Sequence, residues 1–500
     1  MHTDIIVGAG SAGCVLAERL SAQPDRRVLV IEAGEHYRSR ETPPEIASPN
    51  NFQALADGRF LWPLEATMTA AQPPMPFQQG RGAGGSSSVN NTWAIRARPG
   101  DLDGWAAAGC SQVEWKQLVE HYCATEQDLD FGDRAHHGND GPLAISRLAE
   151  PAWGPVDFAF RDAAVAAGLG WDEDLNDPTA AGAGPIPMTL TGEKRVSAND
   201  AFLDHALDRP TVEVRSQTYV QRIVFEGARA VGVTVVVDGR EETVRGDTVH
   251  LCAGAVQSPA LLLRSGVGPP EVLGHAGVEV RHELDRVGRN LVEHPAIGVV
   301  FQLAEHAQRP SADVRQANCL ARPEGGPAGD GWHVFCTGVG PFGTASGVAA
   351  VALMHPTSRG QVSLAAGGEP SVTVNALATD ADVERLWAGF EHVLELLSSP
   401  AMRAVIGGPL VDLTGPLDVD AARAAKAGWL RSTCAPYRHL AGTCRMSDTP
   451  ELGVVDGDHR VWGLENLHVV DASVVPDATS SNLNLTVIAM ASRAAERILR

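Results

Sequence analysis

Long apolar runs are missing from this chain of 500 residues: no window approaches the roughly eighteen consecutive apolar residues of a membrane span. A spanning helix is therefore not expected. The sequence passes from Met1 straight into an apolar strand, with no basic segment and apolar stretch ahead of a cleavage site, so a cytoplasmic location is expected. Basic residues are also scarce. Lys and Arg number 40 against 61 Asp and Glu, a net charge of −21 without any basic cluster, which disfavours binding to a nucleic-acid backbone as the main function. The eight cysteines (Cys14, Cys110, Cys123, Cys252, Cys319, Cys336, Cys434, Cys444) form no C-x-x-C pair and no zinc-like spacing, so reduced, packed thiols and no metal centre are expected. Aromatic residues make up only 5%, which argues against an extensive aromatic cage for a cationic ligand. No repeat of solenoid or propeller type is present. What remains is 44% hydrophobic and 20% charged, the balance of an ordinary globular enzyme. A chain this long outgrows a single hydrophobic core, and two domains are expected.

The opening segment "DIIVGAGSAGCVLAERLSAQPDRRVLVIEAG" reads as strand, glycine turn, helix and second strand. Gly8, Gly10 and Gly13 form G-x-G-x-x-G at the turn. The first glycine permits the turn, the second lets a pyrophosphate approach the backbone, and the third lets helix and strand pack closely. Glu32 closes the second strand about 20 residues on, where a carboxylate accepts hydrogen bonds from an adenosine ribose. The ordered set of strand, turn, helix, strand and acid predicts dinucleotide binding, and the acid favours FAD or NAD over a 2′-phosphorylated nucleotide.

Residues 36–80 show little periodicity and predict a long excursion over the surface or the active site. "GRGAGGSSSVNNTW" then returns to glycine and small hydroxyl residues, which suit either a flexible linker or a backbone laid along a phosphate or flat ring. From 195 on, "VSANDAFLDHAL" reads as a capped helix followed by alternating strands, and "TVHLCAGAVQSPALLLRSGVG" as strand, turn and helix with Ser258 and Pro259 at the helix start. The block 300–431 alternates β-like runs with one strongly helical stretch, "DADVERLWAGFEHVLELLSS". "LHVVDAS" reads as a strand ending in a carboxylate, and a final helix is expected to open at Asn482 to Thr486 with its dipole aimed at an electron-rich atom.

Taken in order, "GAGSAG" with Glu32, "GRGAGGSSSVNN", "GAVQSPALLLRSGVGP", "VGRNLVEHP", "HLAGTCRM" and "VVDASVVPDATSSNLNLT" resemble the glucose-methanol-choline (GMC) oxidoreductases, FAD enzymes acting mostly on alcohols. The resemblance spans nearly the whole chain and is weakest over 300–430. It implies an α/β fold, α+β overall, with a Rossmann-like FAD-binding domain from 1–150, 195–299 and 432–500. A sheet-based substrate-binding domain would comprise 300–431 with contributions from 36–80 and 151–194. It further implies that Gly8, Gly10, Ser11, Ala12, Gly13 and Glu32 hold the ADP half of FAD. Arg81, Gly85, Ser86, Asn90 and Asn91 would lie along the pyrophosphate, ribityl chain and flavin. Val220 falls where the backbone grips adenine, Asp471, Ala472 and Leu483 face the cofactor, and His439 and Asn482 match the catalytic pair beside the flavin.

Elementary chemistry assigns the pair the same roles. Oxidising a C–OH to C=O with a flavin moves a hydride from carbon and a proton from oxygen. An imidazole suits the proton, and His439 is the expected general base. Asn482 donates a hydrogen bond to the alcohol oxygen but takes no proton. Cys444 is read as a packed small residue and His294 in "EHP" as structural. Val89 stands where some members carry a histidine linked to FAD, so non-covalent FAD is expected. Arg438 and Leu440 replace the aromatic residue and the proline that often flank the catalytic histidine. The arginine would lower the imidazole pKa, contact a substrate carboxylate or point to solvent. The expected activity is oxidation of a small-molecule alcohol to an aldehyde or ketone, with oxygen or another carrier as electron acceptor. The alternative on the same fold is hydroxynitrile lyase-type cleavage with redox-silent FAD.

Overall fold

The computed structural model describes residues 2–237, 239–309, 317–323, 331–339, 343–412 and 415–500. Ile5, Ile6 and Val7 are fully or almost fully buried in the strand His2–Val7, and Val28–Ile31 is equally buried beside it. Runs that are apolar on both faces suit a covered parallel sheet. The helix Ser11–Ser21 makes the crossover, and the strands pair in parallel from Asp4 opposite Val28 to Val7 opposite Ile31. Val212–Arg215 adds outside Val28–Ile31, while the second half of the long strand Arg240–Leu251 pairs with His2–Val7 on the other side. Leu467–Val469 then extends the parallel array past Leu251. The first half of Arg240–Leu251 leaves that array and pairs antiparallel with Arg229–Val237, which pairs in turn with Tyr219–Glu226.

A second, antiparallel sheet runs Gly415–Pro416, Ile406–Asp412, Pro295–Leu303, Ser346–Leu353, Trp332–Thr337, Cys319–Ala321 and Ala183–Pro185, with Ala435–Pro436 pairing Pro295–Ala296. Its strands alternate. Val299, Phe301, Val334, Val351 and Leu353 pack into a core with the helices Pro155–Ala166 and Asp380–Leu397. Ala296, Gly298, Phe335, Thr337, Val348 and Ala350 line a cavity. The helix Asp380–Leu397 starts where the Thr379 side chain accepts from the Asp382 N–H (3.2 Å) and buries Val383, Leu386, Trp387, Phe390 and Val393 along one face. Each such side chain contributes about 1.5–3 kcal/mol through burial. Among the described residues, no helix is long and apolar enough to cross a membrane.

One local reading is corrected. The helix after Cys252 spans Gly254–Arg264, so Ser258 and Pro259 lie inside it and not at its start. A proline there leaves the carbonyl four residues back without its N–H. The Thr443 hydroxyl supplies the missing donor, at 2.6 Å from the Ala255 oxygen. A tertiary hydrogen bond from the "HLAGTCRM" segment therefore permits what local rules forbid.

Candidate active site

A cavity of about 800 Å³ is lined by the carboxyl ends of the parallel strands and by the face of the antiparallel sheet. In open α/β sheets that end of the strands is where ligands bind. At one end lies the glycine turn. Gly8 adopts φ +103°, and a Cβ there would stand 2.6 Å from the Cys252 carbonyl oxygen. At Gly13 a Cβ would meet the Gly8 oxygen at 2.0 Å, so this glycine serves helix-to-strand packing behind the cavity wall. Gly10, Ser11 and Ala12 line the cavity at the N-terminus of the helix Ser11–Ser21. The Ser11 hydroxyl donates to Asn484 (2.7 Å), which brings this helix start beside that of Leu483–Leu499. Two dipoles and two sets of free N–H groups thus face one space.

Glu32 lines the same end, but its carboxylate is already engaged: it accepts from the N–H groups of Ala9 (2.8 Å), Gly34 (2.7 Å) and Gly82 (3.0 Å). It thereby ties the glycine turn to the segment that leads into "GGSSS". There Gly85 lies so close that a Cβ would come within 2.8 Å of the Gly10 Cα. Ser86, Val89, Asn90 and Asn91 continue the lining, as do Val220, beside a strand irregularity between Val220 and Arg222, and Asp471, Ala472 and Leu483. Asp471 accepts from the Ser258 hydroxyl (2.5 Å) and the Gly254 N–H (2.9 Å), and burial raises its pKa. Residues 51–52, 55–56 and 78–80 from the 36–80 excursion also line the cavity.

His439 and Asn482 come together across 43 positions of sequence, with Asn482 Nδ2 at 3.2 Å from His439 Nε2. The other ring nitrogen, Nδ1, lies 2.9 Å from Nδ1 of His294. Burial, followed by the Arg438 guanidinium, pulls His439 from 6.5 down to about 3, and its imidazole is neutral at pH 7. Burial and the neighbouring His439 and His333 rings hold His294 well below its ordinary value. Beneath the loop, Glu293 accepts the His439 N–H (2.7 Å), and burial pushes its pKa up to about 8. Tyr437 packs edge-on to His439 with ring centres 4.7 Å apart.

Two of the expected residues do not line the cavity: Gly13, and Arg81, which donates to the Ala33 oxygen (3.0 Å) and lies over the Trp62 ring. Other residues at the site carry little or no signal in the sequence. His294 was read as structural, yet it touches the His439 ring directly, and only its place in "VGRNLVEHP" marked it. Arg195 is fully buried and donates to Asn90 Oδ1 (2.8 Å) and the Ile46 oxygen (3.0 Å), pinning the 36–80 excursion to the "GGSSS" segment. Burial lowers its pKa to about 10. No sequence signal distinguished it from a surface arginine. A cluster at His137 has metal-like composition, with Glu126 at 3.0 Å, Asp128 at 3.1 Å and Asp174 at 2.8 Å. Burial alone would lower the His137 pKa, but the three carboxylates outweigh it and raise it to about 10. Arg96 pairs with Glu126, and Arg147 pairs with Asp128 (2.8 Å) and Asp174 (2.9 Å), so the three carboxylates are also matched by two guanidinium groups.

The residues suit a dinucleotide. A Cβ added at Gly10 would meet only the Cys252 oxygen, at 3.9 Å, so the space it would fill belongs to the cavity beside two helix N-termini. A glycine turn at the end of a parallel sheet, opening into a cavity that closes on an imidazole and a carboxamide, defines a dinucleotide-dependent oxidoreductase. Comparison with known proteins narrows the class. Residues 2–296 and 356–491 match the N- and C-terminal family models of the GMC oxidoreductases. The chain is 34% identical to the 5-(hydroxymethyl)furfural oxidase of Methylovorus sp. (strain MP688), over 99% of this chain and 98% of that protein. It is 30% identical to an alcohol dehydrogenase (acceptor) of Pseudomonas putida, over 100% of this chain and 96% of that one. The crystal structure of pyridoxine 4-oxidase from Mesorbium loti superposes with a TM-score of 0.90 at 30% identity, covering 99% of each chain. This chain belongs to the GMC oxidoreductase family, whose members bind FAD.

Proposed function

We propose that this protein oxidises the carbinol of a small alcohol to an aldehyde or ketone, with His439 as the base that takes the hydroxyl proton. The observation that carries the reading is the pair on the cavity wall, His439 with Nε2 at 3.2 Å from Asn482 Nδ2, in surroundings that lower the imidazole pKa by burial. With Asn482 donating from Nδ2, His439 Nε2 holds the lone pair and its proton sits on Nδ1. That proton is donated to His294 Nδ1 at 2.9 Å, and the second ring nitrogen of His294 faces the backbone of Thr479. The chain of imidazoles thus selects the tautomer a base requires. Asn482 orients the alcohol oxygen and stabilises the charge that develops on it.

In this reading Gly8, Gly10, Ser11, Ala12 and Glu32 hold the ADP half of FAD, with Val220 at the adenine. Gly85, Ser86, Asn90, Asn91, Asp471, Ala472 and Leu483 border the remainder, and Gly13 and Arg81 support the wall from behind. Residues 1–150, 195–299 and 432–500 then form the FAD-binding domain, and 300–431 with 36–80 and 151–194 close the substrate side. FAD supplies the acceptor for the hydride that leaves the carbinol carbon. Oxygen or another carrier would be the final electron acceptor. Relatives named as a 5-(hydroxymethyl)furfural oxidase and an alcohol dehydrogenase support oxidation of a C–OH group as the class of reaction.

The test is anaerobic addition of alcohols to the yellow holoprotein, with loss of the oxidised-flavin absorbance as the expected result. Cleavage of a cyanohydrin without bleaching would replace this reading by a hydroxynitrile lyase. Val89, a buried valine on the cavity wall, offers no nucleophile to the cofactor, so FAD is held without a covalent bond. Acid precipitation is expected to leave a yellow supernatant and a colourless pellet; flavin in the washed pellet would refute non-covalent binding.

A further inference from the structure

We propose that Arg438 recognises a carboxylate on the substrate, so that the enzyme prefers alcohols that carry an acid group on an apolar body. The inference rests on the alcohol-oxidation reading above and names the substrate class of that site.

Six consecutive residues, Ala435 to Leu440, line the cavity, Tyr437, Arg438 and His439 among them. An extended chain would turn alternate side chains away. The backbone avoids this because Arg438 adopts φ +71°, an uncommon conformation for a residue with a side chain, while Glu293 below accepts the His439 N–H at 2.7 Å. Strain of this kind persists where the surroundings enforce it and gathers at functional sites. Its result here is that a guanidinium and the imidazole, on Cα atoms about 3.8 Å apart, face the same space.

The charge of Arg438 is not spent inside the protein. Its side chain is exposed to the cavity and has no hydrogen bond or ion pair among the described residues. The nearest acid in electrostatic reach, Glu293, is shifted up to about 8 and so gives little negative charge at pH 7. The other charged residues that line the cavity are occupied: Glu32 and Asp471 accept from backbone N–H groups, and Arg264 donates to the Gln221 oxygen (3.1 Å). No acid on this wall would repel an anion. A lone guanidinium matches a carboxylate through two parallel N–H···O bonds, whereas a phosphate dianion would leave one charge unmatched. Around it, Trp93, Phe335 and Tyr437 form an aromatic wall, with Trp93 and Phe335 ring centres 5.1 Å apart. That wall suits the apolar body of a small acid. The chemistry is unchanged: the C–H electron pair leaves as hydride to FAD and the O–H proton goes to His439.

The test compares 4-(hydroxymethyl)benzoate with its neutral carboxamide in wild type, Arg438→Met and Arg438→Lys, with FAD content as the check on folding. In the wild type kcat/KM is expected to favour the carboxylate by about 100-fold, mostly through KM, as befits a charge-assisted hydrogen-bonded pair. That ratio is expected to fall to near unity in Arg438→Met and to persist in part in Arg438→Lys. A wild-type ratio near unity, or a ratio unaltered by Arg438→Met, overturns the proposal. If neither alcohol reduces the flavin, alcohol oxidation fails while the anion site is still decided by calorimetry. Benzoate binding more tightly than benzamide to the wild type alone supports it, and equal binding of the two refutes it.

Discussion

Flavin reduction in His439→Ala is expected to be about 10²- to 10⁴-fold slower than in the wild type, with FAD content preserved, because that is the range a positioned general base contributes. The size of the effect follows from the surroundings of the ring. His439 is the neutral partner at both ends of its hydrogen bonds, with Asn482 at Nε2 and His294 at Nδ1, and alanine leaves neither a proton acceptor nor a replacement within reach. Asn482 offers only a carboxamide, which takes no proton at working pH. Since burial and Arg438 hold the imidazole well below 6.5, the wild type is expected to keep its base unprotonated at pH 5.5 as well as at pH 7. Removing His294 costs less: the base remains but its tautomer is no longer imposed. Stopped-flow loss of oxidised-flavin absorbance under anaerobic conditions measures all of these. Wild-type rates in His439→Ala would remove this residue from the chemistry.

Acid is expected to destabilise the holoprotein below pH 6.5, above the range in which ordinary carboxylates titrate. Burial holds His294, His333, His439, His459 and His468 neutral in the folded state, each with its pKa lowered from 6.5. Unfolding exposes them, so below pH 6.5 the unfolded chain binds protons that the native state refuses, and stability falls as pH falls. Each group contributes about 1.4 kcal/mol by pH 5.5, and the five together up to about 7 kcal/mol. That is comparable with the whole stability of a typical domain, about 5–15 kcal/mol. His137 acts in the opposite sense. Its pKa is raised to about 10, so its contribution is fully present below 6.5 and is lost as pH rises through 10. Between pH 7.5 and pH 5.5 it offsets about 1.4 kcal/mol of that loss, and Glu293, pushed up to about 8 by burial and so protonated first in the folded state, offsets about 2.5 kcal/mol, which leaves a net loss of about 3 kcal/mol. Urea unfolding of the holoprotein at pH 7.5 and pH 5.5 measures the difference; equal midpoints and slopes at the two values would contradict five buried neutral imidazoles.

Much of the architecture was legible in local signals. The strand, turn, helix and strand at the N-terminus follow from Ile5 to Val7, the three glycines and Val28 to Ile31, because a glycine turn and β-branched runs act over a few residues. The pairing of His439 with Asn482 followed from matching two motifs in order, and their side chains do meet. The helix around Pro259 was misplaced because its support comes from Thr443, far along the chain, where no local rule looks. Arg195 was missed for a similar reason: a buried and an exposed arginine share one letter, and only the carbonyls gathered around it tell them apart.

The sequence by itself determined the nucleotide-type sheet, the glycine turn and the family resemblance, and it singled out His439 and Asn482 as a pair. These depend on periodicity and on short motifs whose geometry is local. Only the tertiary structure decided that His294 lies within hydrogen-bond distance of His439, that Glu32 accepts from three backbone N–H groups, and that Arg438 faces the cavity with no ion pair among the described residues. Protonation, tautomer and the direction of a side chain are set by what is packed around a residue, and for His439 one such neighbour, His294, lies 145 positions away in the sequence.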